Sequence, residues 1–252
     1  MMDLSSWKVC LEIGLNHLGS YSLLESLIKN SVIAELGVSV SVQIREEEFY
    51  EDNQHFFLKL EDHKRFMDLC RELKIPCGLA LGPLSDLKSL KDGGLEPDFI
   101  KTLSISSADP AFMGRLYDTY NCSKYISVGL SNIDYIKGNI LPLMDPNDEL
   151  IHTYLSHNSA DQNFGDIRLL GNLGVSVCYG LHAFDHELIY TGIGAGANKI
   201  FLYIGDKSLD LPDYEHAIDL VDVADVVAKI NSSFSAMSET GDRVKNVKID
   251  GL

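Results

Sequence analysis

The chain has 252 residues, of which 45% are hydrophobic and 23% are charged, and its formal net charge is −16 at pH 7. This composition is typical of a globular protein with a large core. The negative charge disfavours a surface for nucleic acid or for an anionic membrane, since both require basic patches. An anionic small-molecule substrate stays open, because a site can be locally positive inside an acidic protein.

The cysteines indicate a reducing compartment. They are odd in number and form no CxxC pair, which predicts free thiols rather than a disulfide framework; they are Cys10, Cys70, Cys77, Cys122 and Cys178. The opening residues, MMDLSSWK, lack the apolar stretch of a signal peptide, and no apolar run approaches the ~20 residues of a membrane span. We therefore expect a soluble, cytoplasmic protein.

Short apolar runs alternate with helical periodicity along the whole chain. The runs predict strands at residues 8–13, 38–43, 77–81, 99–103, 125–128, 150–155, 175–179 and 199–203. The 3.6-residue periodicity predicts helices at 21–36, 61–73, 84–91, 110–120, 133–141, 165–173, 187–194 and 214–230.

Eight strands, each followed by a helix, indicate an α/β fold of the (β/α)8 TIM barrel type over residues 1–231. A doubly wound sheet would use fewer strands and usually carries a GxGxxG turn after the first strand. The sequence GLNHLG at 14–19 does not match that turn. Residues 232–252 are polar and aperiodic, which predicts a C-terminal tail.

In such a barrel the functional side chains lie at the carboxyl ends of the strands. The first strand carries Glu12 and leads into Asn16 and His17. A carboxylate inside a strand is costly unless a partner satisfies it. Each residue alone is also explained structurally, Asn16 as a helix cap and Glu12 by a buried partner, but together the three favour a site.

Strand 2 continues with polar residues on one face. Period-two alternation places Ser41, Gln43 and Arg45 together, so we expect them to point towards the mouth of the barrel. The guanidinium of Arg45 could bind an anion. It could equally pair with the acidic residues at 46–48.

The ends of the later strands add a lysine, serines and a histidine. Lys101 lies inside an otherwise apolar strand, with Ser104 after it, and Ser127 ends the next strand. Serines at a barrel mouth suit phosphate or carboxylate binding, although serines also cap helices. His182 follows strand 7 and is a candidate metal ligand.

Taken together, these motifs resemble the sialic acid synthase family. The segments that carry the resemblance are EIGLNHLG, EDHKRFMDLCRELKIPC, FIKTLSIS, YISVGLSNIDYI and LIHTYLSHNSADQNFGDIRLLGNLGVSVCYGLHAF. Enzymes of that family condense phosphoenolpyruvate with an N-acyl hexosamine to form a nonulosonic acid, and they use a divalent metal such as manganese. The resemblance covers about residues 8–230.

The resemblance implies roles for individual residues. The implied catalytic residues are Glu12, His17 and Lys101. The implied substrate-binding residues are Asn16, Gln43, Arg45, Ser104, Ser127 and Arg168. His182 matches a metal-binding histidine, for manganese or magnesium, and the substrates would be small molecules, with no nucleic-acid or membrane partner.

The sequence also departs from the family pattern. Ser41 stands where the family has a lysine, Tyr203 replaces the second metal histidine, and Arg168 replaces an asparagine. Arg45 or Arg168 could restore the charge lost at Ser41. The family's C-terminal antifreeze-like domain is not found in the sequence, so a homodimer or a separate partner synthase chain stays open.

Three functions fit these observations. The leading hypothesis is a diverged synthase that condenses phosphoenolpyruvate with an N-acyl hexosamine or a related sugar. The second is a barrel that has lost this chemistry and binds a sugar or acid, or serves as a partner subunit. The third is a metal-independent aldolase in which Lys101 forms a Schiff base.

Overall fold

A computed structural model describes residues 7–29, 36–83 and 86–238. Eight parallel strands follow one another in chain order, and β8 pairs with β1 to close the barrel. The predicted (β/α)8 barrel is thereby confirmed. Its strands are β1 (Val9–Gly14), β2 (Ser39–Ile44), β3 (Cys77–Leu81), β4 (Phe99–Thr102), β5 (Ser123–Ser127), β6 (Glu149–Thr153), β7 (Val177–Gly180) and β8 (Ile200–Gly205).

Helices surround the strands. They are α1 (Tyr21–Lys29), α2 (Glu47–Asp52), α3 (Leu60–Leu73), α4 (Leu87–Asp92), α5 (Ser104–Ser107), α6 (Pro110–Thr119), α7 (Ile133–Tyr135), α8 (Gly165–Gly171), α9 (Leu188–Ala195) and α10 (Val223–Ser238). A π-helical turn at Ile136–Ile140 continues α7. Short 3-10 turns lie at Gln54–Phe56, Leu141–Leu143 and Ser159–Asp161.

The last predicted helix begins later than its periodicity indicates. Residues 214–222 form turns and a two-residue strand, β9 (Ile218–Asp219), which pairs with the end of β8. Val221 fits the helical spacing but is 82% exposed, so it does not belong to a core-facing stripe. Helix α10 then runs on to Ser238, into the segment predicted as a tail. The rest of that tail, and the predicted helical residues 30–35 and 84–85, lie outside the described residues.

The amino-terminal half of the barrel interior is filled with side chains. Trp7 lies across this end, with its ring centroid 5.3 Å from that of Tyr125 and 5.6 Å from that of Phe99. Beside Trp7, Lys199 donates a hydrogen bond to the buried carboxylate of Glu149. The interior is therefore solid at this end, and a site can form only at the carboxyl ends of the strands.

The structure also describes the state of the cysteines and the character of the helices. All five cysteines are free thiols, and four of them are buried. Within the described part of the chain, no helix is both long enough and apolar enough to cross a membrane.

Candidate active site at the carboxyl ends of the strands

A buried ion pair lies inside the barrel, in the layer of side chains nearest the carboxyl ends of the strands. The Nζ of Lys101, on β4, donates to Oε1 of Glu12, on β1, and the two side chains are only 4% and 3% exposed. The same Nζ lies 5.6 Å from the ring centroid of Tyr203. Two charges can be buried this deeply only as a pair, because either one alone would lose its hydration without compensation. Lys101 is thus the partner that the buried Glu12 requires.

Hydroxyl groups gather on the β5 and β6 side of this layer. A Cβ placed on Gly129 would lie 3.0 Å from Oγ of Ser104 and 2.6 Å from the carbonyl oxygen of Thr153, so the position needs a glycine. The hydroxyls of Ser127 and Thr153 are buried and have no hydrogen-bond partner among the described residues. Buried polar groups are normally satisfied, so these two donors are available to a bound acceptor.

Four aromatic rings stack at the mouth, on the segments that follow β6, β7 and β8. The ring of His216 stacks on that of His182 at 5.3 Å and on that of His157 at 5.1 Å, and Phe184 stacks on His157 at 4.8 Å. Burial, Lys101 and the neighbouring histidines hold the pKa of His182 well below its usual value. Burial likewise lowers the pKa of His216 to about 4. The histidines of this stack that carry these shifts are neutral at pH 7.

This arrangement does not fit a divalent metal at His182. The rings of His182 and His216 are 14° from parallel, so their in-plane nitrogen lone pairs do not converge. Burial keeps the pKa of the Tyr203 phenol well above its usual range, so it offers a neutral oxygen. Lys101 places a positive charge beside His182. Among the described residues, no three His, Cys, Asp or Glu side chains are arranged to hold a metal, which requires ligands at about 2.0–2.2 Å.

A second carboxyl group reaches the mouth from the segment 206–217, which follows β8. Oδ2 of Asp213 lies 3.0 Å from the position of a Cβ on Gly14, and its backbone N–H donates to Oδ1 of Asn16 at 3.3 Å. Burial and the charge of Glu12 raise the pKa of Asp213 to about 7. A carboxyl group of raised pKa therefore lies at the same site as Glu12, and a carboxyl group with such a pKa can act as an acid.

Sequence reasoning missed Asp213 and His216. The signal available was PDYEH at 212–216, directly after the last strand, where a barrel carries functional residues. The helical periodicity assigned this stretch to a helix instead.

Asn16 and His17, predicted as site residues at the end of β1, make their hydrogen bonds to other groups than Lys101. Asn16 is fully buried and donates from Nδ2 to the carbonyl of Ile204 at 2.9 Å, so it fixes the end of β8. His17 is also buried, and its Nδ1 accepts from the N–H of Gly19. Burial and the nearby His63 of α3 lower the pKa of His17 to about 3. The structure gives His17 no contact with the ion pair.

Ser41 and Gln43 lie buried on the inner face of β2, as the alternation predicts. Arg45 does not point freely into the mouth, because it donates to both carboxylate oxygens of Glu46, at 2.7 and 3.1 Å. Arg168 is exposed on helix α8, outside the strand barrel, and is not brought to the site. Arg45, paired with Glu46, and Arg168, on an outer helix, therefore give no support to the predicted restoration of charge near Ser41.

Solved structures show where this barrel occurs. The chain matches N-acetylneuraminic acid (sialic acid) synthetase from Leptospira borgpetersenii serovar Hardjo-bovis, solved in complex with citrate, with a TM-score of 0.82 and 16% identity over 97% of this chain and 89% of that one. A putative spore coat polysaccharide biosynthesis protein E from Chromobacterium violaceum gives a TM-score of 0.76 and 16% identity over 94% of this chain and 78% of that one.

A truncated 3-deoxy-D-arabino-heptulosonate 7-phosphate synthase from Thermotoga maritima gives a TM-score of 0.72 and 12% identity over 94% of this chain and 92% of that one. No protein-family model matches the chain, and no curated protein matches its sequence. At these identities the likeness establishes the fold. The resemblance seen in the motifs is therefore confirmed as a shared fold, the barrel found in sialic acid and related sugar-acid synthases.

Proposed function

We propose that this protein is a phosphoenolpyruvate-binding enzyme that joins phosphoenolpyruvate to an N-acyl hexosamine or a related sugar. The observation that carries the proposal is the combination of Lys101 with the unpartnered hydroxyls of Ser127 and Thr153. A buried ammonium and free hydroxyl donors are the groups that bind carboxylate and phosphate oxygens in charge-assisted hydrogen bonds. The shared fold with sugar-acid synthases supports the same assignment.

The condensation would form a bond between C3 of phosphoenolpyruvate and the carbonyl carbon of the sugar. Water adds to C2, and inorganic phosphate leaves. The carbonyl oxygen must gain a proton, which Asp213 can donate because its pKa is about 7. Glu12 is the base that can take a proton from the attacking water. None of these steps passes through a metal, in keeping with the donor geometry at His182.

Calorimetric titration with phosphoenolpyruvate tests the proposal, once in chelator and once with manganese. We expect saturable binding of similar affinity in both. Ser127→Ala should weaken binding about 10- to 100-fold, because one hydrogen bond to a charged group is worth about 1.5–3 kcal/mol. Ser123→Ala, at the other end of β5, is the matched control and should bind like the wild type.

Two other results of this titration would contradict the proposal, one its independence of metal and the other the enzyme assignment. Binding that requires manganese would show that a metal site assembles with the ligand. Absence of binding under both conditions would reject the enzyme assignment.

A second function is a barrel that binds a sugar or acid without condensing it. The closed ion pair favours this alternative, because Lys101 is already neutralised by Glu12. Phosphate release from phosphoenolpyruvate in the presence of hexosamines distinguishes the two, because only the synthase produces it.

Substitution of Gly129 independently tests the role of the neighbouring hydroxyls of Ser104, Ser127 and Thr153 in binding. The methyl group of Gly129→Ala would lie 2.6 Å from the carbonyl oxygen of Thr153, a backbone atom that cannot move aside easily. We expect phosphoenolpyruvate affinity to fall at least tenfold, with a smaller loss of thermal stability. Gly138→Ala is the control, since a Cβ there meets nothing within 4 Å. Unchanged affinity in Gly129→Ala would remove this cluster from the site.

A further inference from the structure

Lys101 is positioned to act as a nucleophile and not only as a cation. Its side chain is 4% exposed, and its Nζ lies 5.8 Å from the ring centroid of Phe201 and 5.6 Å from that of Tyr203. Lysine amines that attack carbonyl groups lie in such desolvated surroundings, because burial disfavours the ammonium relative to the neutral amine. Lys101 is therefore a candidate for forming an imine with a carbonyl compound.

The partner of Lys101 can remove the proton that blocks this chemistry. An ammonium has no lone pair, so it must lose a proton before it can attack. Oε1 of Glu12 already accepts the hydrogen bond from Nζ. Transfer of the proton along this bond leaves a neutral amine and a neutral carboxyl group, and burial disfavours that neutral pair less than the ion pair.

The side chains beside the amine on β3 and above it on β5 are small. Ala80 on β3 is a register partner of Lys101. The register partner on β5 is Tyr125, and Ser127 lies two residues further along the same face, about 7 Å nearer the mouth. A small compound that enters from the mouth therefore meets the hydroxyl of Ser127 above the amine.

The unpartnered hydroxyls define what the compound carries next to its carbonyl group. Those of Ser127 and Thr153 are buried without a hydrogen-bond partner among the described residues and can donate to a carboxylate. A carbonyl carbon attached directly to that carboxylate then faces the amine. This arrangement selects a 2-oxo acid.

Acidic side chains at the mouth favour a ligand of low negative charge. The segment 206–217, which follows β8, contains one lysine, Lys207, and four acidic residues: Asp206, Asp210, Asp213 and Glu215. Repulsion grows with the charge of the ligand, so a 2-oxo acid with a single carboxylate meets less of it than a phosphate ester does. Pyruvate is the smallest 2-oxo acid with exchangeable C3 protons.

Asp213 supplies the acid that imine formation requires. Burial and the charge of Glu12 raise the pKa of this carboxyl group to about 7, so it still holds a proton near neutral pH, and the charge of Lys101 acts on the same group. The backbone N–H of Asp213 donates to Oδ1 of Asn16, which fixes the segment at the end of β1.

We propose that Lys101 forms an imine with a 2-oxo acid such as pyruvate, and that the barrel catalyses aldol addition or cleavage through it. The neutral amine adds to C2, and a proton moves from the nitrogen to the former carbonyl oxygen. The hydroxyl so formed leaves as water after Asp213 protonates it.

The imine then activates C3. Loss of a proton from C3 gives an enamine, whose C3 forms a bond to the carbonyl carbon of an aldehyde while the aldehyde oxygen takes up a proton. Hydrolysis of the imine releases the product and frees the amine. This reaction does not rest on the proposed condensation, since no phosphoenolpyruvate takes part in it.

Reduction with sodium cyanoborohydride makes the imine permanent, so mass spectrometry of the full chain incubated with pyruvate tests the proposal. We expect one adduct per chain, on the peptide that contains Lys101. Lys199 is an internal control, because it is also paired with a buried glutamate, Glu149, but lies beside Trp7 at the closed end. Lys101→Arg keeps a positive charge beside Glu12 and should give no adduct.

Two further variants separate binding from chemistry. Ser127→Ala should raise the pyruvate concentration for half-maximal trapping about 10- to 100-fold, with a smaller effect on the rate at saturation. Asp213→Asn should lower the saturated rate at least tenfold. The exposed Asp210→Asn, in the same segment, should react like the wild type. Exchange of the methyl protons of pyruvate in D2O, followed by NMR, measures the enamine without a reductant and should be lost in Lys101→Arg.

Three results would overturn the imine: no adduct at saturating pyruvate, modification of Lys199 as readily as Lys101, or methyl-proton exchange as fast in Lys101→Arg as in the wild type. Thermal melting shows whether each variant is folded. An adduct at Lys101 without phosphoenolpyruvate binding leaves the imine standing and rejects the proposed condensation. Phosphoenolpyruvate binding and phosphate release without an adduct or proton exchange reject the imine alone.

Discussion

Replacing Lys101 with methionine should lower the free energy of unfolding by about 3–5 kcal/mol and abolish phosphoenolpyruvate binding. The stability loss arises because the substitution leaves Glu12 as a buried carboxylate, 3% exposed, without its cationic partner. The binding loss arises because Lys101 is the ammonium that the proposed site offers to the anion. Urea unfolding and calorimetry measure the two effects separately.

The double variant Lys101→Met/Glu12→Gln is the control for this prediction. It removes both charges, so most of the stability should return, because replacing a whole buried ion pair with neutral groups is often tolerated. Binding should stay lost, since the cation is still absent. A Lys101→Met protein as stable as the wild type would contradict the buried pair, and one that still binds phosphoenolpyruvate would contradict the site.

Asp213→Asn should make the protein more stable above pH 7, although it removes a proposed proton donor. The pKa of Asp213 is about 7 in the folded protein, whereas a free aspartate, as in the unfolded chain, has a pKa of 3.8. The folded state therefore holds the proton more tightly. The stability contributed by this group is therefore present below pH 4 and is lost as the pH rises to about 7. Asparagine does not titrate and avoids that loss.

The full loss of folding stability from the raised pKa of Asp213 corresponds to about 4 kcal/mol. Because the side chain is 21% exposed, solvent should reduce the measured gain to about 2 kcal/mol at pH 8. Urea unfolding at pH 8 and at pH 4.5 measures it, and the gain should shrink at the lower pH. Asp210→Asn, in the same segment and exposed, should show no such pH dependence. A variant less stable than the wild type at pH 8 would contradict the raised pKa.

The strands could be predicted from the sequence because parallel barrel strands are buried on both faces and appear as short apolar runs. The same rule located Lys101 and Glu12, since a charge within such a run needs a partner. Helix α10 was placed too early because periodicity counts residues without knowing their exposure, as Val221 shows.

The rest of the site depends on contacts that distant segments make. His17 looked catalytic beside Glu12, but its surroundings include His63, on a helix far along the chain. Arg45 could have faced an anion or Glu46, and only the fold shows that it faces Glu46. The raised pKa of Asp213 comes from its burial and from the charge of Glu12, almost the whole chain away, and no local pattern records that proximity.

Trp7 and the aromatic rings around it turn the barrel into a blind tunnel, closed at its amino-terminal end. Ligands must then enter and leave through the one open end, at the carboxyl ends of the strands. A compound seated deep on Lys101 must arrive before anything that settles above it and can depart only after that upper occupant has gone. If the proposed condensation holds, phosphoenolpyruvate must therefore reach Lys101 before a sugar that covers it in the mouth, whatever the relative affinities of the two.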